Sequence, residues 1–302
     1  MEDGQKGKRA TLIGFTAILL WGILALLTSL SGNIPPFQLT AMTFFIAFLV
    51  GAAAFLKSGS DFSILRQPPS VWLNGIFGLF GYHAIYFMAM QSAPSIEASL
   101  IAYLWPILIV LFSSFLPGER LRWFHLLGVA LGFAGVAVLL LRGGFAIKQE
   151  YMLGYILAFL CAVIWSVYSV VSRKLNGAPT MLIGAFCGIT ALLSFVCHLL
   201  FERTVAVSGD QWIPVALLGL GPVGLAFFAW DHGMKKGNIK LLGTLSYVAP
   251  LLSSVLLVLF GRAAFSWGLL AACGLIVAGS AMTAIDKLRG LFAKKQPLNT
   301  NQ

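Results

Sequence analysis

Apolar residues along this chain come in long unbroken blocks, and short polar stretches divide the blocks. Ten blocks approach the roughly 20 residues a helix needs to cross the hydrocarbon core of a bilayer. They cover 10–31, 37–56, 70–91, 96–116 and 123–141, then 152–172, 180–201, 211–234, 239–260 and 266–285. The pattern predicts an all-α integral membrane protein of ten transmembrane helices. The connections carry the expected breakers: Pro35-Pro36, Pro68-Pro69, Pro94, Pro117-Gly118, Gly143-Gly144, Gly177-Ala178-Pro179 and Gly237-Asn238. Two blocks are interrupted from within, at Tyr103-Leu104-Trp105-Pro106 and at Ser246-Tyr247-Val248-Ala249-Pro250. A proline has no N–H, so Pro106 and Pro250 each leave the carbonyl four residues back, Ala102 and Ser246, without its helical partner. At membrane depth such a break survives only against protein or a wet cavity.

The two interruptions are related by a constant offset of 144 residues, and the same offset brings Trp21 onto Trp165, Phe15 onto Phe159, Gly75 onto Gly219, Met90 onto Met234 and Gly135 onto Gly279. The chain therefore reads as two repeats, 1–145 and 150–286, followed by a basic and polar cytosolic tail, 287–302. Each repeat holds five spans, and an odd number inserts the second repeat upside down relative to the first. Inverted repeats with broken helices near the midplane are the build of secondary transporters, with substrate held at the repeat interface.

Composition agrees with the block pattern. Apolar residues make up 59% and charged residues 10% of 302 positions, against about 25% charged in a soluble domain. The net charge of +10 does not point to nucleic acid, because the basic residues sit in short clusters between spans. With a cytosolic N-terminus, 16 of the 20 Lys and Arg residues fall on inside segments and 4 on outside ones, so both termini are expected in the cytosol. The basic patch Lys6, Lys8 and Arg9 leads into a block too long for a signal-peptide core and is expected to be retained as the first span. Cys161, Cys187, Cys197 and Cys273 show no metal or disulfide spacing, and no Gly-x4-Gly-Lys motif is present for direct ATP use. Neither cofactor nor metal is expected, and no convergent acid, base or ligand set suggests an enzyme.

Trp21-Gly22 in the first span, Trp165 in the sixth and Gly118-Glu119 leading into the fifth resemble the drug/metabolite transporter superfamily, in its EamA branch. Tyr103-Leu104-Trp105-Pro106, Ala229-Trp230-Asp231-His232-Gly233 and Ser246-Tyr247-Val248-Ala249-Pro250 further resemble the bacterial aromatic amino acid exporters of the YddG type. That resemblance implies a multi-pass protein of the cytoplasmic membrane, among membrane lipid, exporting aromatic and other neutral amino acids by alternating access. A same-fold exporter of another neutral metabolite or drug is the alternative. Cationic drugs are disfavoured, because spans one to seven carry no carboxylate deep in the core.

Several residues are candidates to meet the substrate. Tyr82 and Tyr86 lie four apart on one face of the third span with His83 beside them, and His83 is suited to a substrate carboxylate or to a proton relay. Tyr103 and Trp105 cannot share a helix face; Tyr103 is favoured for the cavity because its repeat mate Tyr247 is also tyrosine, while the resemblance keeps Trp105 and Pro106 near the pathway. Trp21, Trp165, Tyr168 and Trp230 are expected to form an aromatic cage, with Ser246 and Tyr247 completing the site from the second repeat. Asp231 is expected to pair with Lys235 at the membrane boundary, and Glu97 to serve as a cap-region charge. His125, His198 and His232 are assigned no role. Gly128, Gly132, Gly135, Gly184, Gly188, Gly274 and Gly279 are expected to form close-packing seams.

Overall fold

The computed structural model describes residues 2–141, 148–261, 265 and 267–283. The expected tail 287–302, the Gly143-Gly144 breaker and the outer-loop residues Arg142 and Arg262 lie outside the described residues. Every regular element among those described is helical. In chain order they are α1 (Glu2–Gly22), α2 (Leu24–Leu30), α3 (Pro36–Lys57), α4 (Pro69–Ile76), α5 (Tyr82–Ser92), α6 (Ser95–Ala102), α7 (Trp105–Ser113) and α8 (Trp123–Leu140). Then come α9 (Met152–Lys174), α10 (Leu182–Phe201), α11 (Trp212–Leu220), α12 (Ala226–Lys236), α13 (Ile239–Leu245), α14 (Val248–Leu259) and α15 (Trp267–Thr283). Seven helices or helix pairs are long and apolar enough to cross a membrane, and three shorter apolar ones accompany them: Glu97–Ser113, Trp123–Val138 and Trp267–Thr283.

The helix ends follow the punctuation. Pro36 and Pro69 open α3 and α4, where a missing N–H costs nothing. The side chain of Asn238 caps α13 by accepting from the N–H of Leu241 at 3.0 Å. Two helix pairs are joined by something the hydropathy does not reveal. A π-helical turn over Phe77–Gly81 joins α4 to α5, and a second over Gly221–Leu225 joins α11 to α12. Such single-turn bulges displace carbonyls from the regular ladder.

The broken spans behave differently from each other. The first is interrupted between α6 and α7 at Tyr103-Leu104, the second between α13 and α14 at Ser246-Tyr247. The expectation that Pro250 frees the carbonyl of Ser246 is corrected: that oxygen accepts from the N–H of Ala249 at 3.1 Å, a tightened turn in place of the lost bond.

Helices pack in pairs: α3 with α10, α8 with α15, α1 with α12, α5 with α9, and α7 with α13. Lipid supplies no hydrophobic drive between helices, so close approach of backbones carries these contacts. A Cβ on Gly51 would lie 2.5 Å from Cα of Gly184, and one on Gly279 would lie 2.3 Å from the carbonyl oxygen of Gly128. The seams at Gly128, Gly132, Gly135, Gly184, Gly188 and Gly279 are therefore real contacts. Gly274 is a correction, since a Cβ there meets nothing within 4 Å. At the far end of α3, the carboxylate of Glu202 accepts from the N–H groups of Phe37 and Gln38 at 2.8 and 3.0 Å, and the amide of Gln38 exchanges two bonds with the backbone of Val205.

Candidate functional site

Four tryptophans from four separate spans meet in the middle of the bundle. Trp21, Trp105, Trp165 and Trp230 stand with ring centroids between 5.1 and 6.3 Å apart, mostly edge to face. Edge-to-face geometry is what ring quadrupoles prefer. Trp230 is sealed, Trp165 and Trp105 are nearly so, and Trp21 keeps accessible surface. The indoles thus pack on one another as a floor instead of leaving an open cup. Two are anchored: Nε1 of Trp230 donates to Oγ of Ser169 at 3.0 Å, and Nε1 of Trp21 donates to the carbonyl of Pro222 at 3.0 Å. That carbonyl belongs to the second π-helical turn. Ser166 ties the broken helix down by donating to the carbonyl of Trp105 at 2.9 Å.

Beside this floor stand Tyr82, His83, Tyr86 and Tyr103. Tyr82 packs 5.5 Å from Trp165 and 5.9 Å from Tyr86, the tyrosine pair stacked within 15°. His83 lies 5.1 Å from Phe44. Tyr103 is within electrostatic reach of Tyr86 and Tyr82. These side chains keep accessible surface although protein surrounds them, and the space they border is termed the vestibule. Nδ1 of His83 lies 2.7 Å from the carbonyl of Leu79. A carbonyl only accepts, so Nδ1 carries the proton and the lone pair of the neutral ring sits on Nε2.

The polar inventory of this vestibule is distinctive. Among the described residues, Nε1 of Trp105, Nε1 of Trp165, the hydroxyls of Tyr82 and Tyr103, and Nε2 of His83 have no hydrogen-bond partner, and none is sealed from solvent. The set offers N–H and O–H donors, one imidazole acceptor, several π faces and no carboxylate. Donors suit a carboxylate, while a lone pair and aromatic faces suit an ammonium group.

Three expected members sit elsewhere. Tyr168 packs 5.1 Å from Trp165 but lies beneath the floor, its ring pressed on Gly78 and its hydroxyl sealed without a partner. Ser246 is fully buried and its hydroxyl donates back to Leu242 at 2.7 Å. Tyr247 is also fully buried, in a core shared with Val110, Val129 and Ile276. Tyr103 packs against this same core and keeps accessible surface, while its repeat mate Tyr247 shows none. A Cβ on Gly132 would fall 2.3 Å from the Tyr247 ring, so the glycine makes the pocket into which that ring folds. The position 144 residues after Gly132 is Ile276, so the repeats do not share this glycine.

Below the floor, toward the lysine-rich helix ends, charges close the bundle. Asp231 pairs with Lys235 at 2.8 Å as expected, but both are buried, with Thr180 donating to Asp231 at 2.6 Å and Lys235 to the carbonyl of Ala178 at 2.8 Å. Glu119 bridges Arg173 at 3.2 Å and Lys240 at 2.6 Å. Arg173 also donates to the carbonyls of Met234 and Gly237, satisfying the end of α12. Sequence reasoning missed this network; its signal was one acid, Glu119, among the basic residues of that connection. Glu97 accepts from the hydroxyl of Tyr155, joining α6 to α9 at the opposite end. His198 is held at both nitrogens, by Glu202 and Thr204, each at 2.9 Å.

Comparison with known proteins agrees with this architecture. The EamA-like transporter family matches twice, over residues 8–141 and 152–285. The chain is 57% identical to the aromatic amino acid exporter YddG of Ancylobacter novellus, covering 91% of this chain and 97% of that one. It is 27% identical to the exporter of the same name from Escherichia coli, over 94% of this chain and 99% of that one. A solved crystal structure 56% identical in sequence superposes with a TM-score of 0.90, covering 93% of this chain and 98% of that one. The chain belongs to the EamA-like transporter family.

Proposed function

We propose that this transporter exports amino acids, aromatic and other neutral ones, across the cytoplasmic membrane by alternating access. The observation that carries this reading is the vestibule of unpartnered donors, one imidazole lone pair and aromatic faces around His83, which complements a zwitterion. The similarity to exporters of aromatic amino acids supports the same class of substrate. The substrate carboxylate meets the Trp105 and Trp165 N–H groups and the Tyr103 and Tyr82 hydroxyls, its ammonium meets Nε2 of His83 and the ring faces, and its side chain rests against Trp21 and Tyr86.

Ten spans in two inverted repeats are part of this proposal. The two family matches are offset by 144 residues at both ends, and so are the π-helical turns at Phe77–Gly81 and Gly221–Leu225. Exchange of the halves also preserves the pairing, since α1 with α12 corresponds to α9 with α5. The charge distribution supports both termini in the cytosol, and in that orientation the Glu119 and Asp231 networks close the cytosolic side while the vestibule faces outward. Tyr168 plugs the path between them, and Tyr247 and Pro250 act as packing elements of the second broken span.

Counterflow of labelled amino acids into proteoliposomes tests the site. His83→Ala, Tyr103→Ala and Trp165→Ala are each expected to lower flux at least tenfold, a loss of about 1.4 kcal/mol or more. Unchanged flux in all three refutes the site, and a substrate panel in the same vesicles separates amino acids from other neutral metabolites or drugs.

A further inference from the structure

A second concavity lies away from the vestibule. It is an open groove of about 770 Å³ between α1 and α12 on the outer wall of the bundle. It is lined by Ile13, Thr16 and Leu20 of α1 and by Ile23 just past its end, residues three and four apart that form one stripe. Facing them are Phe228, Ala229 and His232. Its rim residues Leu19 and Leu225 are 40% and 54% exposed, so the groove opens sideways toward lipid. The lined stretch from Ile13 to Ile23 rises about 15 Å, close to one leaflet of a hydrocarbon core about 30 Å thick.

Both stripes end in cations. One turn before Ile13 stands Arg9, and one turn after His232 stands Lys236, both exposed. Arg9, Lys235 and Lys236 all act electrostatically on His232, so these groups converge at one mouth of the groove. Lys235 is neutralised by Asp231. Among the described residues Arg9 and Lys236 have no carboxylate partner. An apolar slot one leaflet long with unpaired cations at its end has the complementarity of an anionic lipid, chain in the slot and phosphate at the mouth.

We infer that the groove between α1 and α12 is a binding site for one anionic phospholipid, its headgroup held by Arg9 and Lys236. The site is separate from the vestibule and does not depend on the transported substrate. The test is native mass spectrometry of the full chain in detergent, with phosphatidylglycerol and phosphatidylcholine of identical acyl chains. The wild type is expected to retain phosphatidylglycerol preferentially, and Arg9→Gln with Lys236→Gln to weaken that preference about tenfold or more. Lys57→Gln with Arg66→Gln, exposed cations on another connection, is expected to leave it unchanged. Thr16→Trp, which fills the slot from its exposed side, is expected to displace the lipid without altering unfolding temperature. Undiminished preference in the Arg9 and Lys236 variant, equal loss in the Lys57 and Arg66 variant, or full competition by inorganic phosphate would each overturn the assignment.

Discussion

A polar atom at membrane depth is expensive unless it has a partner, so the unpartnered donors around His83 are informative one by one. Trp105 and Trp165 present N–H groups to accessible space, while Trp21 and Trp230 have theirs committed to Pro222 and Ser169. Replacing Trp165 by Phe removes a donor and keeps most of the ring. Given about 1.5–3 kcal/mol for a hydrogen bond to a charged group, apparent amino acid affinity is expected to fall ten- to a hundredfold. Trp230→Phe, which loses only an internal bond, is expected to cost stability more than affinity. Concentration dependence of counterflow, alongside unfolding temperature, distinguishes the two. The aromatic residues were legible in the sequence because tryptophan away from the interfacial belts is unusual. Which of them keep an uncommitted donor was not, because that depends on partners far along the chain: Pro222 lies 201 residues from Trp21.

At the scale of elements, glycine decides where broken helices settle. Tyr247 folds into the space above Gly132, and α8 presses on α15 through Gly128 and Gly279. Gly132→Ala places a methyl against the Tyr247 ring, and overpacking of this kind costs about 1–3 kcal/mol. A lowered unfolding temperature in detergent is expected, while Gly274→Ala, open on all sides, is expected to leave it unchanged. Helix positions and the two interruptions could be read from hydropathy and proline. The π-helical turns could not, since no residue type marks a π bulge as glycine marks a turn. The offset equates Tyr247 with Tyr103, but it does not carry their burial: Tyr247 is sealed over Gly132 while Tyr103 keeps accessible surface.

On the scale of the whole molecule, one end of the bundle is held shut by charge. It joins segments far apart in sequence through Glu119 with Arg173 and Lys240, and through the bonds of the Asp231 and Lys235 pair to Thr180 and Ala178. Removing one member of a buried pair costs far more than the pair contributes, because a desolvated charge is left behind. Glu119→Gln leaves the buried Lys240 without its carboxylate, and is expected to shift the resting population toward a state open at this end by about tenfold. The readout is maleimide labelling of Ser172→Cys, buried beneath the network, in a background lacking the native cysteines. Faster labelling is the expected result, and an unchanged rate removes the latch. Distances of 54 and 121 residues separate Glu119 from its partners, which is why hydropathy and repeat offset alone gave no hint of it.

The bond from His83 to Leu79 has an electrical consequence. With Nδ1 committed to that carbonyl, a second proton has only Nε2 to occupy. A zwitterion carries no net charge, so export that uses His83 only as an acceptor moves no current. Export that exchanges one proton on Nε2 for each amino acid drives one positive charge inward per cycle, worth about 2.3 kcal/mol per 100 mV. Currents recorded on a solid-supported membrane therefore distinguish the two uses of this ring. His83→Gln, which keeps a hydrogen-bonding amide but cannot titrate, is expected to abolish any such current while retaining part of the flux.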